Sequence, residues 1–254
     1  MNYSNLIDEK QEFLKNSVMS EENKNNLNLS MANIYIIREG LARQSELGYS
    51  FIASITLIKD EEKIILLDTG MATDINGNTD LIENLEKLGI APPAVNIVIT
   101  THGHVIFTTF ISPTTLNNRK ADHSGNNNLF PDAIHYQGLI VHYRTKFNFT
   151  GLFEKNFISL TKNVLLIKTP GHTSEDISVI VKNTEQYGTI IIAGDIFISV
   201  DDINSPIMWK PLAFDEIEQE KNRQLIICCA DYIIPGHGKM LLFLNLHIFI
   251  TSNF

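Results

Sequence analysis

The sequence predicts a layered α/β domain, and three observations lead there. Short β-branched apolar runs recur along the chain, these strand candidates outnumber helix candidates, and most runs stop at a Gly, His or Asp. Strands of this kind pack as sheets, with the fewer helices covering their outer faces.

Each element has its own signal. Residues 1–30 are polar and rich in Asn and Glu, and read as a leader, helical or loose. Residues 34–38 are strand-like. The runs 51–58 and 63–67 flank the polar Lys59-Asp60-Glu61-Glu62 and predict a β-hairpin. Residues 78–88 place Leu81, Leu85 and Leu88 on one helical face. Asn78 or Thr79 can cap this helix, and Gly89 sits where a left-handed stop belongs. Pro92-Pro93 breaks the chain before a buried strand at 95–100. Later strand runs fall at 164–168, 177–181, 189–193 and 232–234. The domain is therefore expected over 31–254, with an insertion at 105–120 discussed below.

Composition sets bounds. A chain of 254 residues with 44% hydrophobic and 19% charged content can bury a core without disulfides. A net charge of −9 argues against a broad nucleic-acid-binding face, although a few local cations and metals could still grip RNA. Cys228 and Cys229 are adjacent in an apolar run and read as a buried reduced pair, which points to a reducing compartment. The first thirty residues show no signal-peptide pattern, and the apolar run 240–250 is too short to span a bilayer. A cytoplasmic protein without membrane association is expected.

Five places put acid or imidazole just after an apolar run. They are Asp68-Thr69-Gly70, Thr101-His102-Gly103-His104, Pro170-Gly171-His172, Ala193-Gly194-Asp195 and Pro235-Gly236-His237-Gly238. A rigid strand delivers such a residue and the following loop exposes it. Asp122-His123 adds a further pair. Singly, each is an ordinary turn; the ordered combination is the signal. Imidazole and carboxylate without thiolate suit zinc or another first-row metal. His135, His142 and His247 fit no ligand position and read as structural or surface residues.

In this order the stretches resemble the metallo-β-lactamase superfamily, with its strand-ending D-T-G, its T-H-x-H-x-D-H, a distant G-H, an A-G-D and a final G-H. The resemblance runs over about residues 33–238. The stretches THGH, ADHSGNNNLFPDA, TPGHTSEDISVIV, GTIIIAGDIF and ADYIIPGHG are similar to a branch that cleaves histone pre-mRNA at its 3′ end. The resemblance implies a four-layer αββα sandwich with metals at one edge between the sheets. By the same resemblance His102, His104 and His172 hold one divalent ion, Asp122, His123 and His237 hold a second, and Asp195 bridges them. Asp68 orients ligands from behind. Zinc is the first expectation, with iron or manganese open. The implied activity is metal-dependent hydrolysis, an endoribonuclease of mRNA processing. A hydroxide shared by the two ions is its nucleophile, with Asp122 as proton acceptor. RNA is the implied partner, a nuclear pool is implied beside the cytoplasmic one, and a homodimer stays open. Two alternatives remain. One is a thioesterase of the glyoxalase II type, which usually adds a C-terminal substrate domain that is not expected from the residues after Gly238. The other is a non-catalytic relative, if the split motif prevents metal binding.

The split is the sixteen-residue stretch from Val105 to Lys120. Removing it restores T-H-G-H-A-D-H. A retained in-frame intron is the preferred reading, since a Val codon opens with GT and a Lys codon can close with AG. A looped insertion and a degenerate, metal-poor relative are the alternatives. The run Met240–Phe254 is likewise either a terminal strand or read-through.

Overall fold

The computed structural model describes residues 31–45, 48–71, 73–74, 76–103 and 122–243. The leader 1–30, His104 with the segment 105–120, His247 and the tail from residue 244 lie outside the described residues.

Two sheets face each other. The first is seven-stranded, in the order β1-β4-β5-β6-β7-β8-β9. Its strands are β1 (Asn33–Arg38), β4 (Ile55–Asp60), β5 (Lys63–Leu67), β6 (Ile97–Thr100), β7 (Ile134–Gln137), β8 (Ile140–Tyr143) and β9 (Lys146–Phe149). The second is six-stranded, in the order β10-β11-β12-β13-β14-β15. It comprises β10 (Phe157–Ser159), β11 (Val164–Lys168), β12 (Ile177–Thr184), β13 (Gly188–Gly194), β14 (Tyr232–Pro235) and β15 (Leu241–Leu242). A separate hairpin pairs β2 (Leu41–Ser45) with β3 (Gly48–Ile52).

Strand periodicity explains the layering. Successive side chains alternate faces. On β5, Ile65 and Leu67 join a core shared with Val179, Val181, Ile190 and Ile192 of the second sheet. Leu66 between them points the other way, into a cluster with Leu81 and Leu85 of helix α1 (Gly77–Lys87). The second sheet repeats the scheme. Val164 and Leu166 face inward, whereas Leu165, Ile167 and Ile191 pack outward with Ile226 of helix α3 (Glu216–Cys229). The order is helix, sheet, sheet, helix, which is the expected four-layer αββα sandwich. A short helix α2 (Pro206–Trp209) lies between β13 and α3.

Several local expectations need correction. The run 51–58 is not one strand. It breaks at Ser54, whose backbone N–H donates to Gly236 at 2.7 Å and whose hydroxyl accepts from Gly40 and Gly238. These bonds turn the chain, so Phe51 belongs to β3 and Ile55 starts β4. The predicted hairpin is β4 with β5, antiparallel. Helix α1 is preceded by Asn76 in the left-handed conformation with no side-chain cap, rather than capped by Asn78 or Thr79. Cys228 and Cys229 form no disulfide, as expected, but are half-buried at the end of α3 rather than in the core. Burial pushes the Cys229 thiol up to about 12.

The pairs β5–β6, β6–β7 and β13–β14 are parallel. In such sheets ligands gather outside the carboxyl ends of the strands. Asp68 follows β5, His102 follows β6, Asp195 follows β13 and His237 follows β14. Among the described residues, no helix is long and apolar enough to cross a membrane.

Candidate metal centre

The site begins at Asp68, which leaves β5 with φ 56°, a left-handed conformation that Asp tolerates better than most side chains. This bend turns its carboxylate toward the end of β6. Oδ1 accepts the Thr101 backbone N–H at 2.8 Å, and Oδ2 accepts the Thr101 hydroxyl at 2.9 Å. Oδ2 also lies 2.7 Å from His123 Nδ1. Asp68 thus ties the two halves of the divided motif together from behind, and the His102 and His123 rings sit 4.3 Å apart.

The second sheet supplies the other side. Asp195 lies at the centre with four imidazoles around it. His102, His172 and His237 place Nε2 at 3.8, 3.5 and 3.3 Å from its Oδ2, and His123 Nε2 is 3.5 Å from its Oδ1. Asp122 Oδ2 stands 3.7 Å from His237 Nε2. Two sets of donors are close enough to share an ion: His102, His123 and Asp195, and Asp122, His123 and His237. Six of the seven expected ligands therefore converge. The seventh, His104, lies outside the described residues.

The donor set fits a cation. These N–O separations exceed the ~2.8 Å of a charge-assisted hydrogen bond. Two ligand atoms each ~2.1 Å from a tetrahedral ion sit ~3.4 Å from one another, and the separations cluster there. His123 Nε2 and Asp195 Oδ1 are buried without a hydrogen-bond partner, a costly state unless something else satisfies them. The electrostatics agree. Burial opposes ionisation of Asp195, yet His237, His102 and His123 hold its carboxyl well below the usual range. Burial likewise opposes protonation of His123, but Asp68 and Asp195 together raise its imidazole well above the ordinary value. The carboxylates of Asp68 and Asp195 thus favour positive charge at this spot, and a metal ion would take the place of the proton on His123.

Glycine matters at one strand end in particular. A Cβ on Gly236 would fall on Asp195 Oδ1, so the chain entering His237 must be bare for the carboxylate to sit at the centre. Phe51 of β3 lays its ring 5.0 Å from that of His237. Thr101 and Phe51 escaped the sequence reading. His135 and His142 lie elsewhere, as expected, stacked on each other on β7 and β8 with ring centroids 4.7 Å apart.

Fold and site together define a class. A profile described as the metallo-beta-lactamase superfamily matches residues 48–105. A Xenopus laevis relative is 34% identical over 215 residues, covering 81% of this chain and 79% of its own. The chain belongs to the metallo-β-lactamase superfamily. That Xenopus relative is metallo-beta-lactamase domain-containing protein 1, as is a mouse relative at 33% identity over 183 residues. An uncharacterized Caenorhabditis elegans protein is 36% identical over 189 residues. The chain spans 48% of the length of the worm protein and 59% of the mouse one. Among solved structures, a metallo-beta-lactamase from Thermotoga maritima superposes with TM-score 0.56 at 19% identity, covering 84% of this chain and 99% of its own. An N-acyl homoserine lactone hydrolase, with product at its catalytic metal centre, superposes with TM-score 0.56 at 16% identity, covering 82% and 93%. Both share the fold.

Proposed function

We propose that this chain is a metal-dependent hydrolase whose centre takes two divalent ions, zinc foremost. The observation that carries the proposal is the buried Asp195 carboxylate ringed by four imidazoles at 3.3–3.8 Å. His102 and His172, with His104 as read from the sequence, would hold one ion, Asp122, His123 and His237 the other, and Asp195 both. Bound there, the ions would supply Lewis-acid stabilisation and a water acidic enough to react near neutral pH.

The chain's own groups orient and move protons. Asp68 accepts at His123 Nδ1, which leaves Nε2 bare and aimed at the centre. Asp122 is the proton acceptor of the proposal; its carboxylate is buried beside His237 Nε2, where it could take the proton of a water activated at the centre.

For substrate, resemblance of the motif stretches supports an endoribonuclease acting on histone pre-mRNA 3′ ends. A thioesterase reading draws on a different observation. Ile207, Leu212, Phe214 and Ile217 are exposed apolar side chains. Their segment is pinned beside the site, with Phe214 N–H donating to the His172 carbonyl at 3.1 Å. An acyl-bearing substrate would suit them. Elemental analysis comes first: two ions per chain are expected, fewer after His102→Ala, and metal-free folded protein would favour the non-catalytic alternative. Parallel assays on a single-stranded RNA and an acyl-glutathione thioester then separate the two activities, and cleavage of neither would sink both.

A further inference from the structure

Helix α3 is built inside out. Its buried positions include Gln219, Asn222, Arg223 and Ile226, the i, i+3, i+4, i+7 stripe that faces a core. Three of these four are polar, and they are 0, 1 and 3% exposed. Such groups are buried only where hydrogen bonds satisfy them.

Their partners are backbone carbonyls at the metal centre. Gln219 Nε2 donates to Asp195 O at 3.1 Å and to Ile196 O at 3.3 Å. Asn222 Nδ2 donates to Pro170 O at 2.6 Å, two residues before His172. Arg223 Nη1 donates to Ile196 O at 2.7 Å, and its Nη2 bonds Asp202 at both O and Oδ1. The start of the helix adds a further tie, because Asp215 N–H donates to Gly171 O at 2.9 Å. The contact is tight: a Cβ on Gly171 would collide with the backbone and Cβ of Gln219. One helical face therefore grips two loops that β12 and β13 separate in the chain. One loop delivers His172 and the other Asp195.

We propose that Gln219 and Asn222 are positioning residues that fix His172 and Asp195 at ion-sharing separation, so that α3 sets the affinity of the centre without touching the ion. This rests on the metal-centre reading above. The 3.5 Å between His172 Nε2 and Asp195 Oδ2 is the separation that this grip maintains. Partners that orient ligands in this way typically change metal affinity by roughly 10–100-fold when removed.

The test uses the full chain stripped of metal and titrated with Co2+, followed by visible absorption, beside urea unfolding of the metal-free form. Gln219→Met and Asn222→Leu keep the number of side-chain heavy atoms and remove the donors. Each is expected to weaken Co2+ binding by about ten-fold or more and to alter the ligand-field bands. Asn222→Ser, which retains a hydroxyl, should fall between Asn222→Leu and the parent, and it serves if an apolar variant fails to fold. Gln224→Met, on the exposed side of the same helix, should bind as the parent does. A purely structural role would lower the urea midpoint while leaving Co2+ affinity and bands unchanged, and that result overturns the proposal alone. Failure of the parent chain to bind Co2+ overturns it together with the metal-centre reading.

Discussion

Asp68 and His123 are joined by a 2.7 Å contact from Oδ2 to Nδ1, and this pairing chooses the face that His123 shows to the centre. With Nδ1 carrying the proton, Nε2 presents a lone pair. Asp68→Asn should disturb this while preserving shape. An amide that turns its NH2 toward Nδ1 stabilises the other tautomer and puts a proton on Nε2. Metal affinity should fall by roughly 10–100-fold, read by competitive titration with a chromophoric chelator. Unchanged affinity would remove the proposed role of Asp68.

Gly236→Ala should damage the metal centre, and Gly89→Ala should not. At 236 the added methyl meets the Asp195 carboxylate, whereas at 89 nothing lies within 4 Å and only the left-handed backbone resists. Overpacking typically costs about 1–3 kcal/mol and the left-handed penalty is about 1–2 kcal/mol, so both variants should lose stability. Only Gly236→Ala should lower the bound metal. Equal metal content in the two variants would contradict the geometry.

His135 predicts an acid limit to stability. Burial lowers its pKa; its bond to the Phe130 carbonyl opposes the shift, and the neighbouring His142 adds to it. A histidine whose folded value lies below its unfolded value favours folding fully above the unfolded value of about 6.5. That stability drains as pH falls from there through the folded value. His135→Phe should flatten the pH dependence of the unfolding midpoint between about pH 6.5 and the folded value, with no change above it. An unaltered slope would exclude His135 as the source.

Deleting residues 105–120 should leave the centre intact. His102 and His123, one from each motif half, hold their rings 4.3 Å apart, and the deletion makes His104 and Ala121 consecutive in one continuous motif. The shortened chain should fold and bind at least as much metal as the full chain. Loss of metal on deletion would make the segment an integral part of the protein. Transcripts spanning codons 104–121 test the intron reading directly.

The site was legible because of where its chemistry sits. Asp68, His102, His172, Asp195 and His237 each follow a buried strand, so apolar runs ending in acid or imidazole marked their positions. The sandwich was legible for a similar reason: β5, β11 and β13 are apolar on both faces, as strands between two packed layers must be. Helix α3 was not legible. Its buried stripe is polar, so the apolar periodicity that announces a helix is missing, and residues 225–230 read instead as an apolar core run. Strands β7 to β9 were missed because Ile134, Tyr143, Phe147 and Phe149 are exposed apolar residues, which erases the alternation between inner and outer faces. The hairpin of β2 and β3 carries no comparable run.

The origin of the donors in two sheets sets an order of events during synthesis. The stretch from β1 to β9 leaves the ribosome first and carries Asp68, His102, Asp122 and His123. His172, Asp195 and His237 arrive only with β11, β13, β14 and the loops that follow them. The full donor set of the proposed centre therefore comes together only once the second sheet has folded against the first.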